Sequence, residues 1–297
     1  MQAIRCNNLS KKFGGKVVLS GIDIVIPNGA AVGLLGKNGA GKTTLNRILT
    51  GLSFASSGEV FIHECAPAHG NNKVAFLSEN ISIFPTLSAF ENLYQIYLIN
   101  GINPGKNVIQ NTLEMVSIEN EKKPAGQFSL GMKRRLQIAM SVLVVERDVL
   151  ILDEPTNGLD INGVVWLRDL LLSFIKRGKT LIITSHAIRE LESILSHYAI
   201  MSNGKIVSFG KMSDIMETEI VITLNEGEVS KVADMLAKNR IESKIFGNVI
   251  TIKNNSPDLS QICMTLFLEN KVVPIAFSSQ EKSLVDLFLS HTGDDNA

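Results

Sequence analysis

A chain of 297 residues is long enough for one large domain or two modest ones with a real apolar core. Its 29 basic and 29 acidic side chains balance, so no overall attraction for a polyanion such as nucleic acid is expected. Hydrophobic residues make up 45% of the chain, yet no run reaches the ~18–20 uncharged apolar residues that a membrane-spanning helix needs. The best candidates, 136–145 and 164–175, are short or broken by Arg168 and Asp169. The first six residues carry no apolar core followed by a cleavage site, so no secretion signal is expected. Cys6, Cys65 and Cys263 are scattered singly, the pattern of ordinary thiols in a reducing compartment.

The first 30 residues alternate as strands do, in Val17-Val18-Leu19 and again from Ile22 to Ile26, with a turn at Pro27-Asn28-Gly29. A small antiparallel sheet is expected there. A buried strand, Ala30-Ala31-Val32-Gly33-Leu34-Leu35, then runs into Gly36-Lys37-Asn38-Gly39-Ala40-Gly41-Lys42-Thr43-Thr44, and Leu45 to Leu49 reads as a helix. This fits G-x-x-x-x-G-K-[ST] in its required strand–loop–helix setting, the pattern of a loop that wraps nucleotide phosphates. Glycines at 36, 39 and 41 let backbone N–H groups turn toward one point, and the helix N-terminus adds partial positive charge. Lys42 brings a full charge to the β and γ phosphates, and the Thr43 hydroxyl can ligate Mg²⁺.

A further strand is expected over 59–63. Residues 86–146 read as a helical insertion, opened by a capping box at Ser88-Ala89-Phe90-Glu91 and carrying Ile109, Leu113 and Val116 at helical spacing. From 148 the rhythm becomes βαβ: strands at 149–152 and 180–184 with an amphipathic helix over 164–176, which argues for a parallel sheet. The first of these strands ends in Asp153-Glu154-Pro155. The end of such a strand emerges beside the phosphate loop, where Asp153 would hold Mg²⁺ and Glu154 would polarise the attacking water. Beyond about 215, strands at 221–224, 242–245, 249–252 and 272–275 alternate with helices near 228–238 and 258–269 in a split-βαβ, ferredoxin-like order.

With these motifs in place, residues 1–215 resemble the ATP-binding cassette (ABC) family. The telling element is Phe128-Ser129-Leu130-Gly131-Met132-Lys133, a variant of the family's LSGGQ signature. The resemblance implies that Ser129 and Gly131 of one copy bind the γ-phosphate held by another, sandwiching two ATP molecules in a head-to-tail homodimer. It also implies a dimer-crossing loop at Asn157-Gly158-Leu159-Asp160, a switch histidine at His186, and an aromatic ring, Phe13, stacked on adenine. The segment from Val74 to Asn80 resembles the family's Q-loop, but Glu79 stands where a glutamine is usual. A carboxylate only accepts hydrogen bonds. It should hold Mg²⁺ more strongly and raise the pKa of Asp153 and Glu154 when metal is absent; Asn80 or a shifted loop is the other candidate for the role. Glu79 and the Ser-Leu-Gly-Met-Lys signature together resemble the bacitracin-resistance and lantibiotic-immunity branch of bacterial exporters.

The expected fold is therefore α/β: a P-loop NTPase cassette over 1–215, with a mixed sheet core, an antiparallel β subdomain and a helical subdomain at about 86–146, followed by a small ferredoxin-like α+β domain at 216–297. The expected function is ATP hydrolysis, with ATP and Mg²⁺, powering export of a peptide antibiotic. The site is drawn from residues 36–44, that is Gly36, Lys37, Asn38, Gly39, Ala40, Gly41, Lys42, Thr43 and Thr44, with Phe13, Glu79, Ser129, Gly131, Asp153, Glu154, Asp160 and His186. A separate transmembrane permease is expected to dock near 80–95 through Ile83, Phe84 and Leu87, leaving this chain peripheral on the cytoplasmic face of the membrane and without a nucleic-acid partner. The alternatives are an exporter of another drug or lipid, an importer subunit, a non-catalytic regulator, and a soluble ABC ATPase acting on ribosomes or DNA.

Overall fold

A computed structural model describes residues 2–67, 73–119, 122–144, 146–185, 188–215, 218–254, 258–281 and 284–292. The chain divides into two compact units, 1–210 with 290–297, and 211–289.

In the first unit, β1 (Gln2–Phe13), β2 (Lys16–Pro27) and β4 (Ser57–Ile62) form an antiparallel sheet in the order β2-β1-β4. The expected N-terminal sheet is present, and the strand expected at 59–63 is its third member. A second sheet runs β5 (Val74–Leu77), β6 (Val149–Asp153), β7 (Thr180–Thr184), β3 (Ala31–Gly36), β8 (His197–Ser202), β9 (Lys205–Lys211). Its pairs from β5 through β8 are parallel. β6 and β7 are buried at every residue, which is why their sequences are continuous apolar runs rather than alternating ones. Between the two sheets lies α1 (Lys42–Leu49), and one core cluster takes Ile4, Leu9 and Ile22 from the first sheet, Leu45 and Ile48 from α1, and Ile151 and Ile182 from the second. Full burial of a leucine or isoleucine contributes about 1.5–3 kcal/mol, so this packing fixes where the N-terminus of α1 stands.

The helical insertion contains α2 (Ala89–Ile99), α3 (Lys106–Met115) and α4 (Leu130–Ile138). Its core joins Leu93, Tyr97, Ile109, Leu113, Val116 and Leu136, as the spacing required. Ser88 and Glu91 complete both bonds of the expected capping box. Past α4 the chain widens into a π-helical stretch over Ala139–Leu143, which no local pattern announced. α5 (Ile161–Lys176) follows β6.

In the second unit, β10 (Thr218–Thr223), α6 (Val229–Lys238), β11 (Ser243–Phe246), β12 (Val249–Asn254), α7 (Leu259–Glu269) and β13 (Ala276–Glu281) fold into a four-stranded antiparallel sheet ordered β11-β12-β10-β13. The order is that of a split βαβ pair. Ile220, Ile222, Ile250 and Ile252 alternate inward against Val232, Leu236 and Phe267. One expectation fails here: 272–275 is not a strand. Lys271 is left-handed (φ 54), and the N–H groups of Lys271 and Val272 return to the carbonyls of Leu268 and Phe267 at 3.2 and 2.9 Å. This is a Schellman close to α7, with buried Val272 as its apolar contact. Pro274 has no N–H to give a ladder, and the strand starts two residues later. α8 (Leu284–Thr292) follows β13. No helix among the described residues is long and apolar enough to cross a membrane.

Candidate active site

A cleft of about 840 Å³ opens where β3 gives way to α1. Its floor is the loop Asn38 to Thr44, one wall is Glu79, Asp153 and Glu154, and the other is Lys16, Val17 and Val18 with the turn Asn203-Gly204. The loop's shape depends on glycine. Gly41 has φ 105, and a Cβ there would stand 2.6 Å from the Leu19 side chain and 3.1 Å from the Val18 carbonyl. At Gly36 the Met201 carbonyl would be only 2.8 Å away. Gly41 caps α1 without a side-chain bond, so the first-turn N–H groups remain directed at the cleft, as an anion site requires.

Lys42 Nζ donates to the carbonyls of Gly36 and Lys37 at 2.6 and 3.4 Å. Burial pushes its pKa below the usual lysine range, against the pull of Glu154 and Asp153. Thr43 Oγ1 donates to Asp153 Oδ2 at 3.1 Å, and Thr184 Oγ1 donates to the other carboxylate oxygen. Asp153 is thus buried and oriented from two sides. The hydroxyl of Thr43 and the carboxylate of Asp153 are hard oxygen donors side by side, a set that suits Mg²⁺. Among the described residues no group of three His, Cys, Asp or Glu side chains is placed to hold a metal alone. Glu154 is 5% exposed and left-handed, φ 51, with its N–H on the Thr184 carbonyl at 2.9 Å. Glu79 is exposed and lines the same cleft.

Phe13, Ser129, Gly131 and Asp160 are not among the cleft's described lining residues. Ser129 is exposed and caps α4, its Oγ accepting from the Met132 N–H at 3.2 Å; neither it nor Gly131 is among the cleft's described lining residues. Asp160 caps α5 through the Gly163 N–H at 2.8 Å. The signature and the 157–160 loop are neighbours, for a Cβ at Gly158 would touch Leu130 at 2.7 Å. Phe13 is 54% exposed at the tip of the β1–β2 hairpin, with Lys11 Nζ 4.7 Å from its ring centroid. Lys16 and Val17 of that hairpin reach the cleft, whereas Phe13 is not among the described lining residues. His186 lies outside the described residues. Sequence reasoning missed the second wall. Its signal was the dipeptide Asn203-Gly204, which turns with both φ positive, 48 and 75. It also gave Arg134 no role, although that guanidinium is buried against Asp153, Glu154 and Pro155.

A family model described as ABC transporter matches residues 19–157. The lantibiotic transport ATP-binding protein SrtF of Streptococcus pyogenes is 36% identical over 206 residues, covering 69% of this chain and 89% of its own. The chain belongs to the ABC transporter ATP-binding family. The bacitracin transport ATP-binding protein BcrA of Enterococcus faecalis is 30% identical over 294 residues, 96% of this chain and 94% of its own. Among solved structures, a dimeric ATP-binding cassette in a post-hydrolysis state, bound to ADP and Pi, superposes with a TM-score of 0.64 at 23% identity, covering 70% of this chain and 98% of that one. This ABC protein is an ATPase, the ATP-binding subunit of a transporter.

Proposed function

We propose that this ABC subunit hydrolyses ATP to power export of a peptide antibiotic, lantibiotic or bacitracin-like, for self-protection or resistance. The observation that supports the cargo is the likeness to a lantibiotic and a bacitracin transport protein, the latter over nearly the whole chain. In this reading residues 1–215 are the cassette and 216–297 a separate small domain.

The site roles follow from the chemistry of the cleft. Lys42 and the N–H groups of the phosphate loop bind the β and γ phosphates. Thr43, Asp153 and Glu79 would hold Mg²⁺, which supplies charge neutralisation on those phosphates. Glu154 accepts the proton of the attacking water. Phe13 moves onto adenine from the hairpin tip, and His186 reaches the γ-phosphate. Ser129 and Gly131 are not among the described residues lining their own cleft, and in this reading a second copy supplies them, head to tail, with Asp160 near the shared interface. The chain sits peripherally on the cytoplasmic face of the membrane against a separate permease. The surface offered is the loop before α2, where exposed Phe84 is held by its N–H to Asn92 Oδ1 at 2.8 Å.

Expressed with its permease in a bacterium sensitive to both drug types, the chain should protect against bacitracin or a lantibiotic, and Glu154→Gln should abolish that protection. Unchanged sensitivity to both, with permease and cassette present, would show the cargo to be something else.

A further inference from the structure

Arg134, one turn into α4, is 3% exposed. A guanidinium this deep must find acceptors for its fork of N–H groups, since unpaired donors there are costly. Nη2 donates to the carbonyls of Asp153 and Glu154 at 3.1 and 2.5 Å, and Nε to that of Pro155 at 3.3 Å. Nη1 donates to the Glu79 carbonyl at 3.4 Å and to Gln137 Oε1 at 3.2 Å. Gln137 Nε2 continues the chain to the Ile81 carbonyl at 2.7 Å. One face of α4 therefore grips the backbone of both acidic segments of the cleft. The grip falls on a strained point. Glu154 is left-handed, φ 51, which costs a non-glycine residue on the order of 1–3 kcal/mol and lasts only where neighbours impose it. Its N–H is held by Thr184 and its carbonyl by Arg134. Burial lowers the pKa of Arg134, while Glu154, Glu79 and Asp153 raise it back, and arginine stays protonated.

We propose that Arg134 is a positioning residue for hydrolysis: through the Glu154 carbonyl it holds the left-handed turn that aims Glu154 into the cleft, and through the Glu79 carbonyl it ties that turn to the Glu79 loop. The proposal rests on Glu154 being the general base. It also gives α4 a mechanical part, because the helix capped by Ser129 reaches the Glu154 peptide through the Arg134 side chain.

The test compares the full chain with Arg134→Met, Arg134→Lys and Glu154→Gln, measuring ATP turnover, affinity for a fluorescent ATP analogue, and thermal unfolding. In Arg134→Met, kcat should fall on the order of 10²-fold, the effect of a roughly 1 Å misplacement, with nucleotide affinity nearly unchanged. Arg134→Lys keeps the charge but not the fork, and should recover about a tenth of wild-type kcat. A folded Arg134→Met with wild-type kcat overturns the proposal, as does a loss of affinity in step with kcat in both variants, with no recovery by lysine. If Arg134→Met does not fold, Arg134→Lys decides: reduced kcat at intact affinity supports the proposal, and wild-type kcat overturns it. Inactive Glu154→Gln beside wild-type-like Arg134 variants sinks this proposal alone. Active Glu154→Gln sinks the general-base reading, and the proposal with it.

Discussion

Lys42 is the residue whose energetics the fold sets most visibly. Its ammonium is half-withdrawn from water onto the loop carbonyls, and burial lowers its pKa from the ordinary 10.5. The sign of the consequence is fixed: between the lowered folded value and 10.5 the unfolded chain binds more protons, so stability from this group rises as pH rises through that window. Lys42→Met should flatten the alkaline rise relative to wild type in thermal unfolding followed from neutral pH to pH ~10; identical slopes would show that Lys42 pays no burial cost. Lys42, Thr43, Asp153 and Glu154 were all legible in the sequence, because each belongs to a short motif at the end of a strand or the start of a helix. Arg134 was not. Its backbone acceptors lie 19 to 55 residues away in two separate segments, and no local spacing encodes such a contact.

At the scale of elements, what is local is what could be read. The capping box of α2 depends on residues three apart, Ser88 Oγ accepting from the Glu91 N–H and Glu91 Oε2 accepting from the Ser88 N–H at 3.2 and 2.8 Å. Ser88→Ala should destabilise the cassette by about 1 kcal/mol in urea unfolding. It should also weaken acid dependence. The Ser88 N–H and hydroxyl hold the Glu91 carboxyl below its ordinary 4.5, so its stabilising part is present above that value and lost as pH falls through the lower folded one. No shift in either urea midpoint or acid profile would remove the cap's role. By contrast, the apolar run at 272–275 was misread because the same valine can begin a strand or close a helix, and only the bonds back to α7 decide between them. The π-helical stretch after α4 has no local pattern to announce it, whereas β8, a buried run at Tyr198-Ala199-Ile200-Met201, and β9, which alternates, carried strand signals that the sequence reading passed over.

At the scale of the molecule, the proposed function makes the cassette half of a machine. Its cleft is lined by the glycine loop with Lys42 and by Asp153, Glu154 and Glu79, while Ser129 is not among the described lining residues and Leu130 beside it is 70% exposed. Two such halves turned head to tail would set Ser129 and Gly131 of one copy over the cleft of the other, with ATP as the joint. Blocking hydrolysis should trap that state. The direct measurement is light scattering after size exclusion for Glu154→Gln, with and without ATP and Mg²⁺. A shift from the 32.4 kDa monomer to twice that mass on adding ATP is expected; a protein that binds ATP and remains a monomer at every concentration tested would contradict the composite site.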